Sequence, residues 1–182
     1  MAHYFVTGVS SGIGRALVTE LCREQNDVSG VARRAERLED LKTKNNSFYG
    51  MVCDVTEASS LADCVSSAQK MLGNIDVAIL NAGIYVPQDG TNIDPSVYAK
   101  HMDINYMGVI NALAPIIPSM IKRGTGHIAI MASAAGWRGL PKAAAYGPTK
   151  AALISLSESL YFDLKKTGVT LQVFCPGFVD TE

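Results

Sequence analysis

A chain of 182 residues with 16 basic and 17 acidic side chains has a formal net charge of -1, and so carries no basic field of the kind that holds nucleic acid or anionic lipid. Hydrophobic residues make up 48% and charged residues 18%, which suits one sizeable core in a single globular domain over 1–182 and excludes a disordered or fibrous chain. Met1-Ala2-His3 passes straight into Tyr4-Phe5-Val6-Thr7 without the basic and apolar stretches of a secretory signal, and no unbroken apolar run reaches the roughly 20 residues of a bilayer span. The expectation is a cytoplasmic protein with no membrane partner.

The first strand-length apolar run, 2–7, leads into Thr7-Gly8-Val9-Ser10-Ser11-Gly12-Ile13-Gly14 and then a helical stretch over 12–25. Glycines there let the backbone turn sharply and approach a pyrophosphate, whose charge the free amides of a helix N-terminus favour. A second strand over 27–32 ends at Arg33 and Arg34, ahead of a helix over 36–44. The third strand, 47–53, reaches Asp54 and Val55 before a helix over 57–72, and the fourth, 75–80, reaches Asn81-Ala82-Gly83. Tyr85 to Gly90 has turn composition. A long helix over 97–122 holds Asn105, and its Pro115 and Pro118 are expected to bend or interrupt it by removing backbone donors. The fifth strand, 126–132, ends at Ser133, a helix over 143–166 carries Tyr146 and Lys150, and the sixth strand, 169–175, ends at Pro176-Gly177.

This alternation of strands and helices implies parallel strands joined by crossovers, an α/β doubly wound sheet of Rossmann type with helices on both faces. Cys22, Cys53, Cys64 and Cys175 are scattered and form no paired motif, so they read as reduced core or helix residues; the three histidines are too far apart to suggest a metal site.

Tyr146 and Lys150 are four positions apart and share a helix face. A free phenol titrates near 10, and an adjacent ammonium lowers that value, so the spacing predicts that Lys150 activates Tyr146 for proton transfer. Ser133 falls at the carboxyl end of a strand, where doubly wound sheets place their ligands, and its hydroxyl can converge with that of Tyr146 on one carbonyl oxygen.

The glycine spacing, with Asp54, Asn81-Ala82-Gly83, Asn105, Ser133, Tyr146-x-x-x-Lys150 and Pro176-Gly177 following in order, resembles the single-domain short-chain dehydrogenase/reductase family over nearly the whole chain. The resemblance implies an oxidoreductase that interconverts a carbonyl and an alcohol on a small-molecule substrate. Tyr146 is its general acid and base, Ser133 polarises the carbonyl, Lys150 also touches the nicotinamide ribose, and Asn105 supports a proton path to the lysine. It also implies a dinucleotide held by Gly8, Ser10, Ser11, Gly12, Ile13, Gly14, Asp54, Val55, Asn81, Ala82, Gly83, Tyr146, Lys150, Pro176, Gly177, Val179 and Thr181.

Arg33 and Arg34 stand where an NAD-selective enzyme often has an acidic residue. Their charge suits a 2'-phosphate, so the expected cofactor is NADP(H), with NAD(H) as the alternative; Arg33 is the favoured contact, while Arg34 is as well explained by solvation of a helix start.

Relatives commonly pair the equivalents of helices 97–122 and 143–166, so a homodimer or homotetramer is expected. They also continue into a lid and a last strand that this sequence is expected to lack. Trp137, Leu140, Tyr85 and Phe178 either border an apolar pocket or simply pack. Two other readings are an epimerase or dehydratase using the same tyrosine and lysine, and a dinucleotide sensor or interaction protein without turnover.

Overall fold

The computed structural model describes residues 1–181. Six strands form one parallel sheet: β1 (His3–Thr7), β2 (Asp27–Ala32), β3 (Phe48–Val52), β4 (Val77–Leu80), β5 (Gly126–Met131) and β6 (Val169–Phe174), in the spatial order β3-β2-β1-β4-β5-β6. The crossovers carry α1 (Gly12–Arg23), α2 (Ala35–Lys44), α3 (Ala58–Leu72), α4 (Pro95–Met102), α5 (Gly108–Arg123) and α6 (Gly147–Leu164). The expected doubly wound α/β architecture is present.

Alternation along each strand sends successive side chains into opposite layers, as the pleat requires. Phe5, Ile128 and Ile130 pack with Leu61, Val65, Leu113, Ile116 and Leu153 under α3, α5 and α6. Val6, Val28 and Ile79 pack with Val18, Cys22, Leu38 and Leu41 under α1 and α2. A sheet covered on both faces explains the continuously apolar strand sequences.

The long helix departs from expectation. Pro115 and Pro118 lie inside an unbroken α5, and the interruption falls upstream, in a π turn over Asp103–Met107 between α4 and α5. The missing donors of the two prolines are absorbed by the helix, whereas Asn105 sits in the widened turn with its side chain committed to other parts of the chain. The whole helical run Pro95–Arg123 is long and apolar enough by length and composition to cross a membrane, which a search for unbroken apolar stretches does not register. Its apolar face belongs to the core, where Ala112, Leu113, Ile116 and Met120 are buried.

The last helix begins at Gly147, four residues later than the sequence suggests. Tyr146 is its N-cap and Pro148 stands in the first turn. Pro favours that place because its absent N–H has no helical partner there.

Candidate active site

Strand order reverses around β1: its chain continues outward to β2 on one side, while β4 flanks it on the other. The carboxyl ends of β1 and β4 therefore part and leave a crevice, the usual ligand position in such sheets. Thr7 ties the two lips together. Its Oγ1 accepts from the backbone N–H of Asn81 and of Ala82, both at 3.0 Å, while Asn81 Nδ2 donates to the carbonyls of Thr7 and Gly8. Gly8 has φ +76, and a Cβ there would stand 2.8 Å from Ala82 Cα; a Cβ on Gly14 would collide with the Gly8 carbonyl. The strand-to-helix turn is thus folded tightly enough that only glycine fits at those two points.

That turn is built to receive an anion. Ser11 is the N-cap of α1, yet its side chain does not cap the helix, and the first turn carries no acidic residue. The hydroxyls of Ser10 and Ser11 instead accept from Arg34, at 2.8 and 3.2 Å for Ser10 and 2.9 Å for Ser11. Uncapped amides at a helix N-terminus, with a guanidinium alongside, fit the phosphates of a dinucleotide. Arg34 is therefore part of the phosphate turn and does more than solvate the start of α2.

Arg33 takes a different course. Its side chain is 60% exposed and lies 3.8 Å from the Asp54 carboxylate. Asp54 also accepts from the backbone N–H and the hydroxyl of Thr56, and the Val55 carbonyl accepts from Asn111 on α5 at 2.9 Å. Val55 itself is buried.

The other half of the site lies at the end of β5. Ser133 caps a single 3₁₀ turn, Ala134–Gly136, by accepting from the Ala135 N–H at 3.2 Å, which leaves its own proton free to donate. The Ala134 N–H donates to the Pro176 carbonyl, so the segment after β6 is fastened beside Ser133. Gly12, Ile13, Val179 and Thr181 line one groove at the start of α1, which brings the tail residues expected at the cofactor to the phosphate turn. Gly177 is exposed.

Asn105 is fully buried and works as a rivet. Its Oδ1 accepts from the Ile84 N–H at 2.7 Å, and its Nδ2 donates to the Ile84 carbonyl at 3.0 Å and to Thr149 Oγ1 at 3.1 Å. The Thr149 hydroxyl in turn donates to the Tyr146 carbonyl at 2.7 Å. One asparagine thus links the strand-four loop to the turn that carries Tyr146.

Lys150 is 3% exposed, donates to the Met131 carbonyl at 2.7 Å, and stands 5.6 Å from the centre of the Tyr146 ring. Burial lowers its pKa from 10.5 to about 8. Tyr146 moves up from its ordinary value because burial penalises the phenolate, with the Ser133 hydroxyl pulling the other way. The net direction differs from the expected lowering by Lys150: burial sets the direction of the Tyr146 shift, and the phenol stays neutral at pH 7.

The sequence reading missed Thr7, Thr149 and His101, whose bonds cross the fold and leave no local pattern. Cys175, expected as a core or helix residue, sits just past β6, partly buried against the core, with its sulfur accepting from Trp137 Nε1 at 3.1 Å.

Comparison with known proteins agrees with this geometry. The model of the short chain dehydrogenase family matches residues 2–182. An uncharacterized oxidoreductase of Staphylococcus epidermidis is 32% identical over 177 residues, covering 97% of this chain and 77% of that one. Serine dehydrogenase from Escherichia coli superposes with a TM-score of 0.93 at 27% identity over 97% of this chain and 83% of its own. An actinorhodin polyketide ketoreductase solved with NADPH gives 0.94 at 28% identity over 99% and 71%. With the crevice, the phosphate turn and the Ser133, Tyr146 and Lys150 cluster in place, the chain belongs to the short-chain dehydrogenase family and carries out NAD(P)-dependent oxidoreduction.

Proposed function

We propose that the protein reduces a ketone or aldehyde with NADPH, with Tyr146 as the proton donor, and runs the reverse oxidation under alkaline conditions. The observation that carries this reading is Lys150, buried against the Met131 carbonyl at the end of β5 and 5.6 Å from the centre of the Tyr146 ring, with the Ser133 hydroxyl beside the phenol. The dinucleotide, when bound, supplies or takes up the hydride. Gly8, Ser10 to Gly14, Asn81 to Gly83, Val179 and Thr181 would hold it.

Ser133 hydrogen bonds to the carbonyl oxygen and polarises it, its acceptor side already held by the Ala135 N–H. The neutral Tyr146 phenol then gives its proton to the oxygen as negative charge develops there. Lys150 supplies positive charge under the ring, which steadies the phenolate left behind. Asn105 acts on the position of Tyr146 through Thr149.

Preference for the 2'-phosphate rests on Arg34 at the phosphate turn and the exposed Arg33 beside Asp54, with no acidic residue after β2 before Glu36. An arginine pairs with phosphate oxygens through two parallel N–H groups, whereas a carboxylate there would repel them. A cytoplasmic setting fits the four free cysteines.

The deciding experiment follows reduced-dinucleotide absorbance over a panel of carbonyl substrates. Tyr146→Phe keeps the ring and loses the transferable proton, so turnover is expected to fall by about a thousandfold while dinucleotide affinity changes little. Turnover close to that of the unmodified protein removes Tyr146 from its role. Equal or better use of NADH overturns the cofactor preference and leaves the catalytic reading intact.

A further inference from the structure

We infer that Tyr85 is a specificity-determining residue of the carbonyl site, lying against a flat apolar group of the substrate, and that the buried His101 is the positioning residue that keeps it there. The inference rests on the reading of Tyr146 as the proton donor. Its starting point is a contact. The Tyr85 and Tyr146 rings are 5.1 Å apart between centres with their planes at 56°, the inclined arrangement that aromatic pairs prefer. Tyr85 is nevertheless 51% exposed. One part of its surface packs on Tyr146 and the rest stays open, with Val86 beside it 47% exposed.

An aromatic ring left half open on a loop is unremarkable when the loop is loose. This loop is not. Ile84 is held at both its N–H and its carbonyl by Asn105. Two residues on, the Val86 N–H donates to His101 Nε2 at 3.1 Å, and the Gln88 N–H donates to the Lys142 carbonyl at 3.0 Å, in the segment that leads into Tyr146. Tyr85 is the single residue between the first two anchors. Its backbone is fixed on both sides, so its ring is a surface set in place before any ligand arrives, and preorganisation is what a specificity wall requires.

His101 deserves the second role because its contacts define it. It is fully buried on α4, and its Nδ1 lies 2.7 Å from the Val97 carbonyl. A carbonyl only accepts, so Nδ1 carries the proton; Nε2 is then bare and accepts from Val86. The ring is a bridge with one end fastened to its own helix and the other to the loop. A leucine could fill the space and would leave the Val86 N–H without an acceptor. A glutamine can carry an acceptor oxygen to the place of Nε2.

The surface commits the site to a planar, uncharged group. Tyr85 offers a ring face and edge, and beyond Ser133 the chain leaves Trp137 75% and Leu140 39% exposed. A flat ring attached to the carbonyl would gain both burial and an inclined aromatic contact, where a flexible alkyl chain would gain burial alone.

The test uses the full chain with its dinucleotide and two methyl ketones of equal carbon number, acetophenone and 2-octanone. Tyr85→Ala is expected to lower kcat/KM for acetophenone by about tenfold, mainly through KM, and for 2-octanone by less than about threefold. Tyr85→Phe should keep the discrimination. His101→Leu should reproduce the selective loss and His101→Gln should restore it, with dinucleotide affinity unchanged in all four. Binding is read in parallel from the emission of Trp137, the single tryptophan of the chain, as acetophenone is added to the complex with oxidised dinucleotide. Equal losses for both ketones in Tyr85→Ala, failure of His101→Gln to recover, or no acetophenone binding by the unmodified protein overturns the inference. Tyr146→Phe separates the two readings: it should abolish turnover yet retain acetophenone binding. Persistent turnover in that variant refutes the proton-donor reading and leaves the Tyr85 discrimination to be judged on its own variants.

Discussion

Lys150 is held in a conformation that costs the folded state. Its ammonium is buried with one carbonyl for company, and burial lowers its pKa from 10.5 to about 8. At about 1.4 kcal/mol per pH unit the shift corresponds to roughly 3 kcal/mol, from which the Met131 carbonyl, left without its donor when the lysine is replaced, takes back about 1. Lys150→Met is therefore expected to abolish turnover while raising stability by about 2 kcal/mol, measured by urea unfolding at pH 7. The sign with pH follows from linkage. The folded-state value lies below the unfolded one, so the unfolded chain binds more protons between pH 8 and 10.5, and Lys150 costs progressively less as pH rises across that window. The advantage of the methionine variant should shrink over the same range. An advantage that grows with pH, or a variant less stable at pH 7, contradicts the assignment. Tyr146 acts in the opposite sense: its raised value keeps the proton in place at neutrality, which suits carbonyl reduction and makes the oxidation rate climb with pH.

At the scale of elements, the six strands were legible because each is a short apolar run bounded by turn residues, and all lie within about two residues of the expected bounds. Ser133 and the glycine turn were legible for a related reason, since each follows a strand at the carboxyl edge, and Lys150 through its four-residue spacing from Tyr146. The π turn was not. Asn105 stands in an otherwise helical run, and the partners that hold it in the widened turn, Ile84 and Thr149, are 21 and 44 residues away. Proline was the visible helix breaker, and it broke nothing. Arg34 illustrates the same limit: its neighbours in sequence mark a helix start, while its partners Ser10 and Ser11 stand 24 and 23 residues back. Asn105→Leu removes three side-chain bonds and leaves Ile84 unsatisfied at both backbone groups. Stability is expected to fall by about 3 kcal/mol and turnover by more than about tenfold, read by denaturant unfolding and by kinetics with saturating dinucleotide. Normal stability together with normal turnover rules out the rivet role.

For the molecule as a whole, α5 and α6 carry more apolar surface than one core uses. Ile121 on α5 and Tyr161 and Phe162 on α6 are all strongly exposed, alongside buried residues on the same helices. Exposed aromatic and aliphatic surface of this kind marks an association face, and a symmetric pair of helices would cover it. We propose a dimer or tetramer formed through these helices. Sedimentation velocity at micromolar concentration should show it, and Phe162→Glu should shift the population toward monomer. A monomer in the unmodified protein excludes the proposal.

The tie between Thr7 and Asn81 has a consequence for how the molecule comes into being. Those residues are 74 positions apart, and Asn105 reaches 44 positions to Thr149. Helices and the β2 to β3 crossover close short loops and form early, whereas joining β1 to β4 must first overcome the larger entropy of closing a long one. The crevice exists only once that closure is made. An incompletely folded chain can therefore hold most of its helices and still be unable to grip a dinucleotide, and a bound dinucleotide, by favouring the closed state, stabilises the very pairing that is slowest to form.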